Sequence, residues 1–220
     1  RYFVDQYDTP IFWLGTTQWE LCRKYTPEAA RLILDRTAAH GFTFVQIMVL
    51  GVGDGTGPNF RNEKPWINDD PTTPNEAYFQ NVDDVVKQAA DRGLTITMTM
   101  YHQRYRKHIT EANGRQWGRW LANRYKDSPN LIWAMHPEAK KEFIPVLREI
   151  AAGLKEGDGG AHLIASKPDP SPFSSSFIHE EPWLAYNTIQ TWKDVQLIYP
   201  MVQHDYDLKP VKPVIMAEGA

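Results

Sequence analysis

The strongest constraint on the fold is an alternation of short apolar runs with amphipathic segments along the whole chain. The run FTFVQIMVL at residues 42–50 is too continuously apolar and β-branched for a strand with one solvated face, and it suits a strand covered on both faces. The preceding segment begins with Thr26-Pro27-Glu28, carries apolar residues at helical spacing and stops at Gly41. Repeated strand–helix units of this kind indicate an α/β domain with a parallel sheet.

The same pattern predicts seven strands with helices between them. The strands lie at residues 11–14, 42–50, 94–100, 131–135, 163–165, 185–191 and 214–217. The helices follow Thr26 and Asn75 or lie near residues 113–126, 137–155 and 194–205. Seven such strands fit either a doubly wound open sheet or a (β/α)8 TIM barrel, which needs an eighth strand with its helix. We expect a single domain over residues 1–220, a TIM barrel truncated after its seventh strand in this sequence, with the open sheet as the alternative.

Composition and charge exclude several classes of partner. With 220 residues, 42% of them hydrophobic, the chain can bury a substantial core. Its 24 basic and 27 acidic residues give a net charge of -3, so no basic excess points to a nucleic acid or to anionic lipid. No apolar run approaches the length of about eighteen residues that a membrane span requires. We therefore expect no nucleic-acid partner and no membrane insertion, while the oligomeric state stays open.

Two glutamates follow predicted strands at the end of a barrel where enzymes of this architecture carry their catalytic residues. Glu218 directly follows the seventh apolar run and shares strand parity with Val214 and Met216, so it reaches the barrel mouth if that face is the interior. Glu138 follows the fourth run, where it could also serve only as a partner of a helix dipole. Glycoside hydrolysis requires such a pair: one carboxyl group protonates the departing oxygen, and the other attacks the anomeric carbon or activates water.

Aromatic and polar residues on the same predicted loops are candidates for binding sugar, because sugar C–H faces pack on indole rings and polar side chains bind hydroxyl groups. The rings of Trp19, Trp66, Tyr101 and Trp192 follow predicted strands on one face and could form an exposed stacking platform, although any one of them could instead be core. The candidate substrate-binding residues are Trp19, Asn59, Arg61, Tyr101, His102, His136, Gln190 and Trp192.

Other catalytic constellations lack their sequence signatures. The glycine cluster at residues 51–57 misses the third glycine of GxGxxG, where Thr56 stands, and no GxSxG elbow is present. The lone Cys22 can form neither an internal disulfide nor a thiolate metal cluster. The histidines, among them His102 with His108, lack the spacing of a helical HExxH site. We expect no required metal and no cofactor.

Four segments, spread in order through nearly the whole chain, carry a resemblance to a known family. They are FWLGTTQWEL (12–21), PNEAYFQNVDDVVKQAADRGL (74–94), NLIWAM (130–135) and KPVIMAEGA (212–220). They resemble the apiosidase-like glycoside hydrolases, TIM-barrel enzymes of bacterial polysaccharide breakdown that often carry a further C-terminal β domain. The resemblance implies that Glu218 is the nucleophile of a retaining enzyme and that the protein is secreted or periplasmic. It also implies that the eighth strand and its helix lie beyond residue 220.

The chain departs from the family pattern after two strands. The family usually has Gly-Gly-Asp after the fourth strand, where this chain has His136-Pro137-Glu138, so the acid/base role moves by alignment onto Glu138. The family usually has Gly-Asp-Thr near the first strand, where Gly15-Thr16-Thr17 carries no carboxylate. We expect a glycoside hydrolase that acts on an oligo- or polysaccharide of complex, plant type. The alternatives are a catalytically silent carbohydrate-binding barrel and a metal-dependent hydrolase of other bonds.

Overall fold

A computed structural model of the chain describes residues 2–5, 7–168 and 173–218, without the side chain of residue 174. The strands are β1 (Gly15–Thr17), β2 (Phe44–Met48), β3 (Thr95–His102), β4 (Leu131–His136), β5 (Ile164–Ser166), β6 (Asn187–Gln190) and β7 (Val214–Glu218). The α-helices are α1 (Leu21–Lys24), α2 (Pro27–Ala39), α3 (Glu76–Ala90), α4 (Glu111–Tyr125), α5 (Ile144–Asp158) and α6 (Ile198–Asp207).

The strands follow one another in chain order, all parallel. β1 to β5 form one sheet in the order β1-β2-β3-β4-β5, and β6 pairs with β7. The Ala185 N–H donates to the Ile164 carbonyl at 2.9 Å, and the Thr188 hydroxyl donates to the Ser166 carbonyl at 2.6 Å, so β6 continues beside β5. A doubly wound sheet would reverse its strand order part-way along the chain. The unreversed order is that of a TIM barrel, and the predicted architecture is confirmed.

The first strand was predicted at residues 11–14, and this boundary is wrong. Those residues instead complete a small hairpin, in which Val4 pairs with Pro10 in antiparallel fashion and the Ile11 N–H donates to the Phe3 carbonyl at 2.9 Å. The parallel ladder begins only at Leu14, whose carbonyl accepts hydrogen bonds from the N–H groups of residues 43 and 44. Within the run 11–14, Ile11 and Trp13 pack against the core cluster that contains Phe44 and Tyr186, and β1 begins one residue beyond the run.

Other boundaries shift by a few residues, and three of these shifts affect candidate site residues. β3 continues beyond the predicted residue 100 to His102, and β7 continues beyond residue 217 to Glu218. α5 begins at Ile144 rather than near residue 137. Residues 137–140 form a turn in which the Lys140 N–H donates to the Glu138 carbonyl at 2.8 Å. Glu138 therefore lies in a loop and not in the first turn of a helix.

Two of the longer helices, α2 and α3, begin directly after a residue whose side chain caps them. The Thr26 hydroxyl accepts a first-turn N–H at 3.3 Å, and the Asn75 side chain does the same for α3 at 3.1 Å. α4 and α5 both contact β4 through Trp133, whose indole N–H donates to Asp158 at 3.0 Å and whose ring lies 6.4 Å from that of Tyr125. None of the helices within the described residues is both long enough and apolar enough to cross a membrane.

Aromatic side chains fill the N-terminal end of the barrel interior. Trp13 stacks on Phe44 with ring centroids 3.7 Å apart, and Tyr186 packs edge-on against Trp13. Beyond these rings lies a small cavity of about 20 Å³, which reaches Lys167 and Ala217 at the C-terminal ends of β5 and β7. The interior is therefore filled at the end opposite to the one that carries function in TIM barrels.

Candidate active site

Glu218 is positioned by a bulge in β7. The pairing of β7 with β6 is regular up to Met216 opposite Ile189, then skips Ala217, so that Glu218 lies opposite Gln190. A bulge inserts one extra residue and changes the side to which the following residue points. Glu218 consequently points to the same side of the sheet as its register partner Gln190.

This geometry corrects the parity argument made from the sequence. The interior cavity is lined by Ile215 and not by Val214 or Met216, so the face that Glu218 was expected to share is the outer one. Strict alternation would have sent Glu218 outward with them. Because of the bulge, Glu218 instead follows Gln190, which has the parity of the interior residue Thr188. Glu218 thus reaches the mouth as expected, but because of the bulge and not because it shares a face with Val214 and Met216.

A second bulge, in β3, determines which of Tyr101 and His102 faces the barrel interior. The pairing of β3 with β4 skips Met100, so that His102 lies opposite His136. Without the bulge, alternation from the interior residue Thr97 would aim Tyr101 inward. Tyr101 is instead 0% exposed in the core between strands and helices, and burial raises the pKa of its hydroxyl. The prediction of an exposed Tyr101 ring is wrong, and His102 takes the inward position.

Six side chains meet at the mouth, each from the end of a different strand, and we call them the mouth cluster. They are Trp19, His102, His136, Lys167, Gln190 and Glu218. Lys167 forms an ion pair with Glu218, and its ammonium nitrogen lies 4.4 Å from the centroid of the Trp19 ring. The rings of His102 and His136 lie 4.7 Å apart, and the Gln190 amide nitrogen lies 3.4 Å from His136 Nε2.

The members of the cluster differ in their access to solvent. Lys167 is 3% exposed and Gln190 is 1% exposed, and the Gln190 amide donates to the Pro168 carbonyl at 2.5 Å. The Glu218 side chain keeps 29% of its surface exposed. The cluster therefore presents one accessible carboxylate held among buried polar groups. This arrangement suits nucleophilic or electrostatic catalysis at an electron-poor carbon.

Glu138 lies outside the interior cavity of the barrel. It lines an open groove of about 490 Å³ together with Arg106 and other residues of the loop after β3. Its carboxylate lies 3.5 Å from the Arg106 guanidinium and forms a second ion pair with Lys140. The cavity within the barrel, which Lys167 lines, does not include Glu138 among the described residues. The two carboxylates assigned from the sequence thus have different partners: Arg106 and Lys140 for Glu138, and Lys167 for Glu218.

Four other predicted binding residues are distributed over the surface and the core. Trp66 is 2% exposed and packs edge-on against Trp117, so the predicted four-ring platform does not form. Asn59 is buried, and its side-chain oxygen accepts the N–H groups of residues 61 and 63, so it shapes its own loop. Arg61 lies over the ring of the preceding phenylalanine, 5.1 Å from its centroid. Trp192 is 55% exposed after β6 and remains available for stacking.

Lys167 is a site residue that was not predicted from the sequence. The residue follows the apolar run 163–165 of the predicted fifth strand after one serine, whereas Glu218 follows the seventh run directly. Its signal was a charged side chain at a strand end, followed by a proline. Within the described residues, no group of three or more His, Cys, Asp or Glu side chains is arranged to hold a metal ion.

Comparison with known proteins identifies the family. Residues 1–220 match the family described as the apiosidase-like catalytic domain. The chain belongs to this family. The apiosidase-like resemblance inferred from the four sequence segments is therefore confirmed. No curated protein matches the chain.

Solved structures of glycoside hydrolases share the fold. A glycoside hydrolase family 5 protein from Bacteroides vulgatus has a TM-score of 0.88 at 24% identity, and the match covers 100% of this chain and 51% of that one. A second structure, described as a glycoside hydrolase, has a TM-score of 0.86 at 24% identity, with 100% and 54% coverage. The endo-1,4-β-mannanase of Rhizomucor miehei has a TM-score of 0.72 at 14% identity, with 99% and 79% coverage. This apiosidase-like chain spans about half the length of the first two structures.

Proposed function

We propose that this apiosidase-like barrel hydrolyses glycosidic bonds with retention of configuration and that Glu218 is its nucleophile. The observation that carries the proposal is the position of Glu218, an accessible carboxylate at the end of β7 that a bulge points toward the barrel mouth. The membership of the chain in a family of glycoside hydrolase catalytic domains supports the same assignment.

The proposed reaction has two steps. The Glu218 carboxylate attacks the anomeric carbon while the glycosidic C–O bond breaks, and the departing oxygen takes a proton from a general acid. Water then attacks the anomeric carbon of the glycosyl ester and gives a proton to the same group, now a base, as Glu218 leaves. Glu138 is the proposed acid/base, which requires its carboxyl group to turn from its ion pairs with Arg106 and Lys140 toward the mouth when substrate binds.

The remaining mouth residues are suited to hold the sugar. The Trp19 and Trp192 rings offer faces for sugar C–H groups. His102, His136 and Gln190 offer nitrogen and oxygen atoms for hydroxyl groups. We assign them to an oligo- or polysaccharide substrate of complex, plant type, and we propose that the intact protein is secreted or periplasmic.

The test is hydrolysis by the full-length protein of a panel of 4-nitrophenyl glycosides that includes the β-D-apioside and the β-D-mannoside. Glu218→Gln should lose at least about 10³-fold in kcat on the best substrate. The matched control is Glu180→Gln, since Glu180 is an exposed glutamate outside the mouth cluster. Azide added to Glu218→Ala should restore turnover and give a glycosyl azide of inverted configuration. Undiminished hydrolysis by Glu218→Gln would refute the proposal.

A carbohydrate-binding barrel without catalysis is the second candidate. It is favoured by one observation: Glu138 lines an open groove and is held in ion pairs with Arg106 and Lys140, and it does not line the interior cavity that Lys167 lines. Calorimetric titration with oligosaccharides separates the two functions. If the protein only binds carbohydrate, both the wild type and Glu218→Gln should bind the sugar and neither should hydrolyse it. If the protein is an enzyme, the wild type should hydrolyse the sugar, and Glu218→Gln should bind it without turnover.

A further inference from the structure

We propose that Lys167 is a positioning residue for Glu218 that favours the second half of the reaction, release of the sugar from the enzyme, over the first. The inference rests on the proposed function, because it takes Glu218 to be the nucleophile. Its basis is the ion pair between a buried lysine and the one accessible carboxylate of the mouth cluster.

Contacts with residues at the ends of three other strands hold Lys167 in place. Its backbone N–H donates to the Met135 carbonyl at 2.7 Å, which holds the residue at the end of β5 beside β4. Its ammonium group lies 4.4 Å from the centroid of the Trp19 ring, after β1, and contacts Glu218 of β7. Burial of an ammonium group is costly unless an anion and a polar environment compensate. The carboxylate and the π face of the indole supply that compensation.

The charge of Glu218 changes twice in the retaining cycle. In the first step its oxygen bonds to the anomeric carbon, the bond to the leaving group breaks, and the leaving oxygen takes the proton of the general acid. The resulting ester is neutral, so Lys167 loses its anionic partner. In the second step water attacks the anomeric carbon, its proton goes to the general base, the ester C–O bond breaks, and Glu218 regains its negative charge.

Lys167 therefore acts with opposite sign on the two steps. It stabilises the full charge of the free Glu218 carboxylate more than the partial charge in the first transition state, which slows the attack. It also stabilises the negative charge that returns to Glu218 in the second transition state, which speeds release. A hydrogen bond to a charged group is worth about tenfold in an equilibrium constant, so each rate constant should change by up to about tenfold.

The experiment measures the two rate constants separately, by stopped-flow kinetics with a 2,4-dinitrophenyl glycoside of the sugar that the full-length enzyme prefers. Lys167→Met should lower the rate constant of sugar release by about tenfold and leave that of attack unchanged or higher. The initial burst of dinitrophenol should grow accordingly. Lys167→Arg keeps the charge and should keep the ratio of the two rate constants. Lys87→Met removes a lysine that pairs with Asp91 on the surface of α3, and it should change neither constant.

The outcomes separate this inference from the proposed function. Equal losses of both rate constants in Lys167→Met, with Glu218→Gln inactive, would mean that the lysine only supports the structure and would overturn its assigned role. Unchanged rate constants in that variant would also overturn it. If Lys167→Met fails to fold, as judged by circular dichroism, Lys167→Gln is measured against the same criteria. Undiminished hydrolysis by Glu218→Gln would instead refute the proposed function and the inference with it.

Discussion

The close packing of α4 on α5 gives a sharp prediction, because this helix pair supports β4 and the residues at its end. A Cβ atom on Gly153 would lie 2.0 Å from the Arg115 carbonyl oxygen and 2.8 Å from the Arg119 nitrogen. Both obstacles are backbone atoms, so one helix must shift by more than about 1 Å to reach ordinary contact. Alanine gains about 1 kcal/mol over glycine in helix propensity. Overpacking costs about 3 kcal/mol at the upper end of its usual range, so Gly153→Ala should lose about 2 kcal/mol of stability.

The assay is thermal unfolding of the full-length protein, followed by circular dichroism. A loss of about 2 kcal/mol should lower the Tm by about 4–8 °C for a domain of this size. Gly114→Ala is the matched control in the same interface, since its Cβ would lie 3.1 Å from the Ile150 side chain, which can move aside, and at an ordinary contact distance of 3.5 Å from Val146. That variant should stay within about 1 kcal/mol of the wild type. A Gly153→Ala protein as stable as the wild type would refute the packing argument.

Three further predictions concern acid stability, thiol reactivity and the aromatic residues. Burial raises the pKa of Glu20. Hydrogen bonds from Arg23 and from the residue 52 N–H, together with nearby positive charge, lower the pKa by more than burial raises it, so the net shift is downward. The ionised Glu20 stabilises the folded state fully above the ordinary glutamate pKa, and this contribution is lost as the pH falls through the lower pKa of the folded state. Between pH 7 and pH 3 the Tm of Glu20→Gln should therefore fall less steeply than that of the wild type. Identical slopes in the two proteins would contradict this prediction. Cys22 is 0% exposed, and burial together with the Asp83 charge raises the pKa of its thiol, so Ellman's reagent should react with it only in denaturant; rapid reaction with the native protein would contradict its burial. Trp66→Ala should cost about 3–5 kcal/mol of unfolding free energy in urea because the ring is core, whereas Trp192→Ala should change it by less than about 0.5 kcal/mol, and similar losses in the two variants would refute the division.

The architecture was predictable because it depends on patterns that a sequence states directly. Continuous apolar runs such as residues 42–50 become strands covered on both faces, and the intervening amphipathic segments become helices. The first strand was misplaced because an apolar run does not show whether it pairs in parallel with β2 or closes a hairpin through Pro10. That choice depends on which partner backbone is nearby, and this is a tertiary property.

The site was only partly predictable, because bulges decide which side chains face the mouth. Strict alternation placed Glu218 on the same face as Met216, and the sequence did not show which of Tyr101 and His102 faces the interior. One skipped residue in β7 and one in β3 turn Glu218 and His102 to the interior face. Lys167 was missed because Ser166 stands between it and the apolar run 163–165, and the rule that found Glu218 considered only a charged residue directly after such a run. The burial of Trp66 could not be predicted from the sequence, because a tryptophan in a loop gives no sign of which helix covers it.

The central claim is that Glu218 becomes covalently attached to the sugar, and trapping the glycosyl enzyme tests it most directly. A 2-deoxy-2-fluoro glycoside with a good leaving group should inactivate the full-length protein with a stoichiometry of one. Peptide mass spectrometry should then find the fluorosugar on the peptide that contains Glu218, and Glu218→Gln should remain unlabelled. Labelling of Glu138 or of any other carboxylate, with Glu218 unmodified, would contradict the account.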